Sequence, residues 1–152
     1  MKRSLFLIPV AAIGLVMFSS CKQSTSPGGG GGNQVAMTAT VNGKAWSGIV
    51  PFTGYNNGYL DFSAGDSISD IWIYYTQKDT GTYPVNGNTG DDLFATYDLR
   101  QLLYVSYANS GSVHFTRLDT NHVTGTFNFK AINNASPFDT VTITNGTFDI
   151  AR

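Results

Sequence analysis

Few side chains in this chain are of types that could do chemistry, and their spacing decides what chemistry that would be. Cys21 is the only cysteine. A lone thiol excludes an internal disulfide and a CxxC metal or redox site, and leaves covalent modification as its use. Its surroundings fit that use: Lys2 and Arg3, an apolar run over residues 5–18, then Ser19 and Ser20 directly before it. His114 and His122 are the only histidines; a shared metal would require them to converge. Asp91 and Asp92, with Asn86 and Asn88 nearby, offer the oxygen ligands that Ca²⁺ accepts. Their spacing matches no EF-hand loop, and Asp and Asn are ordinary turn formers. Glycoside hydrolysis needs one carboxyl group in an apolar pocket, whereas the Asp residues read as turn or outward positions. His114 could be joined to an Asp and a Ser as a triad, but no nucleophile elbow supports one. Trp72, Tyr74 and Tyr75 are the candidate ligand aromatics, a stacking platform for a sugar or a peptide. The ordinary role of such rings, and of Tyr55, Tyr59, Tyr97 and Tyr104, is core and cross-strand packing.

The charged, apolar and small residues before Cys21 follow the layout of a secretory leader. Val16-Met17-Phe18-Ser19-Ser20-Cys21 also resembles a bacterial lipobox, with Phe18 where Leu is commoner. In that motif the cysteine sulfur is diacylated, the leader is cut so that the cysteine becomes residue one, and the new amine is usually acylated as well. A bilayer-spanning helix needs about 20 apolar residues; this run is shorter, holds Pro9 and Gly14 and ends on Ser-Ser-Cys. The organisation is therefore a leader over 1–20, a lipidated Cys21 with a flexible Gly/Ser tether over 21–34, and a folded domain over 35–152. Residues 22–33 contain five consecutive glycines and behave as a coil with an r.m.s. span of about 20 Å. No Lys-Ser/Thr follows the glycines and no strand precedes them, so they are not a phosphate loop.

Residues 35–152 are about the size of one ordinary domain. Lys2 and Arg3 leave with the leader, so the mature chain keeps seven basic residues against ten acidic ones, a net charge of −3. Without a basic patch, nucleic acid is not a partner. All ten acids are Asp. Asp, Asn, Gly, Thr and Tyr dominate while strong helix formers are scarce, which favours strands and turns. With no disulfide, stability must come from core burial and sheet pairing.

The elements that position these residues are read from alternation and turns. Asn42-Gly43 between alternating segments is a type I′ hairpin signal pairing Val41 with Lys44 and Ala39 with Trp46. Residues 59–64 and 70–78 are strands joined at Gly65-Asp66-Ser67. The second is apolar on both faces at residues 71–75, as a central strand would be. Residues 79–85 run from a turn into a short strand in which Pro84 marks an edge, and 86–92 are loop. Over 103–131, three-residue loops at Asn109-Ser110-Gly111 and Asp119-Thr120-Asn121 would pair Val105 with Phe115 and Tyr107 with Val113, then Phe115 with Gly125 and Val113 with Phe127. Leu103, Val105, Tyr107, Val113, Phe115, Val123 and Phe127 would share one face, opposite Ser106, His114, Thr116, Thr124 and Thr126. At the end, Asn145-Gly146 is either a tight turn pairing Val141 with Ile150 and Ile143 with Phe148, or a bulge in one long strand. The fold class is all-β: a single antiparallel barrel or sandwich of about eight to ten short strands, compatible with a lipocalin-like meander.

The stretches Ala39-Thr40-Val41-Asn42-Gly43-Lys44-Ala45-Trp46, Gly81-Thr82-Tyr83, Gly125-Thr126-Phe127-Asn128-Phe129 and Val141-Thr142-Ile143-Thr144-Asn145-Gly146-Thr147-Phe148 resemble a family of uncharacterised lipoprotein domains of Bacteroidota. The resemblance spans nearly all of the mature domain. Its motifs are turn and core residues; it implies an all-β fold and no catalytic residue or cofactor. In that phylum, surface-exposed lipoproteins carry acids just after the lipidated cysteine. Lys22-Gln23-Ser24-Thr25-Ser26 has none, which leans towards the periplasmic leaflet of the outer membrane rather than the cell surface. Asp66-Ser67-Ile68 and Asp139-Thr140-Val141 also resemble the phylum's O-glycosylation sequon. The leading expectation is a lipid-anchored, non-enzymatic β domain that binds a glycan, a peptide or an envelope protein. The alternatives are a structural or assembly accessory and a hydrolase. An open apolar barrel mouth favours the first, a filled interior with a flat outward aromatic patch the second, and two carboxylates about 5 to 9 Å apart the third.

Overall fold

Asn42-Gly43 does what its residue types dictate. Both residues have positive φ, 47° and 78°, and the type I′ turn joins β1 (Met37–Val41) to β2 (Lys44–Gly48) with Val41 opposite Lys44 and Ala39 opposite Trp46. The Asn42 side-chain oxygen also accepts from the backbone N–H of Thr142 at 2.8 Å, tying the turn to the far end of the chain. The computed structural model describes residues 35–152 apart from positions 57, 58, 77, 78, 88, 89, 91 and 134. The leader, Cys21, the tether, Asn88 and Asp91 lie outside the described residues.

Eight further strands follow among the described residues: β3 (Val50–Asn56), β4 (Tyr59–Gly65), β5 (Ser69–Tyr75), β6 (Gly81–Val85), β7 (Leu93–Leu99), β8 (Leu102–Leu118), β9 (His122–Asn133) and β10 (Ser136–Ala151). They form one antiparallel sheet in the order β2-β1-β10-β9-β8-β7-β5-β4-β3, with β6 beside the distal half of β8. Followed around the sheet, this is an up-and-down meander closed by β1 against β10, a nearly closed barrel rather than a sandwich. The unpaired seam lies between β2 and β3. Only Ile49 separates them, so the chain runs on instead of turning back, and the Ile49 N–H bonds to the Gly65 carbonyl at 2.9 Å. Gly48 permits this crossing, since a Cβ there would stand 2.7 Å from that of Ala64. As its proline requires, β6 is an edge strand with Pro84 exposed.

Strict alternation fills the interior. Leu60, Phe62 and Ala64 on β4 and Ile71, Ile73 and Tyr75 on β5 point inward with almost no exposure. Rings meet in the middle: Phe62 with Phe148 at 4.9 Å, Phe115 with Tyr75 at 4.4 Å, and Phe115 with Phe148 at 5.7 Å between centroids.

One expected register is corrected, and one open alternative is decided. Asn109-Ser110-Gly111 is not a hairpin loop, because β8 runs straight through it. Val105 pairs with Ile132 and Thr96, not with Phe115. Between Ser106↔Ala131 and Gly111↔Phe129, four residues of β8 stand against one of β9. That odd excess reverses the alternation, so Tyr104 and Ser106 are inside, whereas Leu103 and Tyr107 are exposed. Asn109, at φ 56°, provides the kink. Beyond it the pairs Val113↔Phe127, His114↔Thr126 and Phe115↔Gly125 are as expected. At Asn145-Gly146 the bulge holds and the tight turn does not: β10 continues between β9 and β1, with one extra residue between Ile143↔Phe129 and Gly146↔Phe127.

The β8–β9 turn is capped by Asp119, whose Oδ1 accepts from the N–H groups of Asn121 and His122 at 2.8 and 2.9 Å while Arg117 Nε donates to Oδ2 at 2.5 Å. The Arg117 bond and then these two backbone bonds hold the carboxyl down to about 2 from the usual 3.8. A depressed carboxyl stabilises the fold above its unfolded value, and the contribution is lost as pH falls through the folded one. The Asn121 and His122 amides should therefore stay protected from exchange at pH 5 and lose protection between about pH 4 and pH 2. Titration of Asp119 near 3.8, followed by NMR, would refute the cap.

Candidate functional site

The outward face of β3, β4, β5 and β7 is built by register. One rung reads Phe52↔Ser63↔Trp72↔Thr96 and the next Gly54↔Asp61↔Tyr74↔Phe94. Because cross-strand neighbours on one face lie about 5 Å apart, the rings touch. Phe52 and Trp72 are 5.4 Å apart, Trp72 stacks on Tyr74 at 6.1 Å and 14°, and Tyr74 stacks on Phe94 at 4.2 Å and 6°. Tyr59 closes the row edge-on to Phe94 at 5.8 Å. The stack ends at Phe52 on β3, a strand paired on one side only, where the ring is 47% exposed.

The three aromatics singled out in the sequence do not act together. Trp72 and Tyr74 are half-buried on this outer face. Tyr75 is one residue out of phase and lies in the core at 0% exposure, its hydroxyl donating to the Asp79 carbonyl at 2.8 Å. Burial, followed by Tyr83 beside it, pushes the Tyr75 phenol strongly upwards.

Rings from neighbouring strands roof the polar residues between them. Asp61, Ser63 and Thr96 point out of the barrel, yet they are 6%, 3% and 7% exposed. Asp61 is outward, as its place in the strand pattern implies, but the rings over it keep it out of water. Its Oδ1 is buried and has no hydrogen-bond donor. Tyr74 responds to this setting: burial and then the Asp61 charge raise its phenol, against a hydrogen bond with Thr96 that lowers it. Opposite Asp61 stands Gly54, over which the Phe52 ring folds, its Cζ 3.0 Å from where a Cβ would be.

The other candidates disperse. Asp91 lies outside the described residues. Asp92 is exposed, and its carboxylate accepts from Thr76 Oγ1 at 3.0 Å, fastening the end of β5 to the start of β7. His114 bonds Thr82 at 2.8 Å and His122 bonds Asp149 at 3.1 Å, each on its own part of the surface. Among the described residues no group of three or more His, Cys, Asp or Glu is placed to hold a metal. Two rungs along the outer face from Asp61, Asp70 stands opposite Asp98. Burial, then the charges of Asp98 and Asp66, raise the Asp70 carboxyl.

Residues 33–150 match the model of a family described as a domain of unknown function, DUF6252. The chain belongs to this family. No curated protein and no solved structure matches it. The matched span takes in all ten strands but for the last residue of β10, including both rungs of the aromatic face, and begins after Cys21.

Proposed function

We propose that this DUF6252 chain is a lipoprotein of the outer membrane, anchored through Cys21, whose barrel is a non-enzymatic binding module that docks a partner on the outer aromatic face of β3, β4, β5 and β7. The observation that carries this reading is the division of the aromatics. Rings in contact occupy the middle of the barrel, while Phe52, Trp72, Tyr74 and Phe94 form a continuous row on its outside. Such a wall supports docking of a protein surface over enclosure of a small molecule. A glycan would need open ring faces, and those of Trp72 and Tyr74 are turned towards one another. The buried acid has no catalytic partner in Asp70: from Asp61 to the rung of Asp70 is four residues along β4, roughly 13 Å at 3.3 Å per residue, beyond the separations of about 5 to 9.5 Å that glycosidases use. Asp70 and Asp98 do stand opposite one another, but both are half-buried at the surface, and neither has the apolar pocket that a glycosidase acid needs. The acid-free stretch after Cys21 favours the periplasmic leaflet.

The test is cross-linking in cells followed by affinity capture, comparing wild type with Phe52→Ala, with Trp72→Ala and with Lys130→Ala on the outward side of β9. Partners captured by wild type and Lys130→Ala should be lost or reduced several-fold in the two face variants. Equal recovery from all four proteins, or recovery of neither protein nor glycan from wild type, would defeat the reading.

A further inference from the structure

We infer that Asp61 is the anchoring acceptor for a cationic side chain, a lysine or arginine of the docked partner, which enters the slot above Gly54 when the Phe52 ring turns aside. The inference rests on the docking face proposed above and names what that face selects. A buried acceptor without a donor costs free energy in the isolated domain. Asp61 is such a group: it is more than nine-tenths buried, it points to the outside of the barrel, and its Oδ1 is unpartnered. Among the described residues of the two rungs that surround it, none is Lys, Arg or His. Among the described residues, then, this buried carboxyl group has no cationic neighbour on its rungs and is roofed by aromatic rings, and the mature chain is negative overall.

Charge complementarity picks the occupant. A neutral hydroxyl donor would fill the lone pair but leave the charge unbalanced where the dielectric is low; an ammonium or guanidinium does both. The walls suit the stem of such a side chain, because Lys and Arg bury their methylenes on apolar surface while the charged head reaches its partner. Access is also in place. The ring that covers the slot, Phe52, is the most exposed of the row and belongs to the strand at the end of the sheet. Gly54 beneath it carries no side chain, so moving one ring uncovers the space beside Asp61.

The full-length lipoprotein in detergent micelles is titrated, with tryptophan fluorescence as the readout, against short peptides identical except for one central Lys, Arg, citrulline or norleucine, and against cellobiose. The Lys or Arg peptide should bind at least about tenfold tighter than the citrulline and norleucine peptides, the difference a single charge-assisted contact makes. Asp61→Asn should erase that preference while melting at or above the wild-type temperature, since it removes the buried charge and keeps the shape. Gly54→Ala, which fills the slot and leaves the carboxylate, should erase it too. Equal affinity for the Lys and norleucine peptides, a preference that survives Asp61→Asn, or cellobiose binding that depends on Asp61 overturns the inference. Absence of any saturable peptide signal overturns it as well. The capture experiment above, which uses no basic peptide, separately decides whether the face docks anything.

Discussion

Phe115→Ala should cost about 3–5 kcal/mol of folding free energy, near the upper end for a truncated core aromatic. Phe115 is 1% exposed and its ring meets those of Phe62, Tyr75, Tyr83 and Phe148 at 5.9, 4.4, 6.1 and 5.7 Å. What places the cost high is the composition of its rung. Phe115 is flanked by Gly81 on β6 and by Gly125 on β9, and Phe148 follows beyond Gly125. The glycines are what let these rings approach: a Cβ on Gly125 would stand 2.6 Å from Phe148 Cζ and 2.1 Å from the His114 carbonyl oxygen. Removing Phe115 therefore leaves a hole whose immediate rung neighbours are glycines without side chains to fill it, bordered by rings already packed against one another, and cavities that collapse poorly carry the largest penalty. Urea unfolding followed by fluorescence measures this directly. A loss below about 1.5 kcal/mol would mean that the core closes over the gap and that the ring is not central.

The same rung shows what sequence pattern could and could not deliver. Phe115↔Gly125 and Val113↔Phe127 were legible because the turn at Asp119-Thr120-Asn121 fixes their register, and Asn42-Gly43 fixed that of β1 and β2. Asn145-Gly146 is the same dipeptide as Asn42-Gly43, and Asn145 has the same positive φ, 51°. It is nevertheless a bulge, because the dipeptide specifies a local backbone angle and not what the chain does next. A long-range fact decides: β10 has partners on both sides, β9 and β1, and must pass between them. β7 is hidden in the sequence for the opposite reason. It is joined to β8 by Arg100 and Gln101, with φ values of 52° and 72°, residues that give no turn signal although the geometry favours Asn-Gly. β3 was masked by Pro51 and Gly54, which break a strand pattern but are tolerated on a strand paired on one side only.

The candidate face divides in the same way. The rings at 72 and 74 were visible as aromatics, and period-two alternation alone is enough to separate them from Tyr75, which packs into the core. Asp61 was not legible. It sits in an alternating strand at an outward position, where an acid ordinarily meets water, and it is buried only because rings contributed by β3, β5 and β7 close over it. No local signal encodes a roof assembled from three other strands. The one hint available was an acid at the centre of a strand between Leu60 and Phe62, away from any turn.

On the proposed anchor, Cys21→Ala should abolish lipid attachment completely. Each buried methylene contributes about 0.8 kcal/mol, so one long acyl chain is worth on the order of 10 kcal/mol and two or three hold a protein at a membrane effectively for good. No other residue in the chain can substitute, because Cys21 is the only thiol. The readout must be the lipid itself and not membrane fractionation, since loss of the lipobox cysteine also blocks cleavage and an uncut leader would keep the chain at the membrane. Metabolic labelling with an acyl analogue separates the two: wild type should take up label and Cys21→Ala none, whereas a surface change in the barrel such as Lys130→Ala should leave labelling unchanged. The family match starts at residue 33 and the first strand at Met37, so unlabelled Cys21→Ala protein should still give the β-rich circular dichroism spectrum of the barrel. Label retained in Cys21→Ala would remove the proposed anchor and leave the aromatic face to be tested on its own.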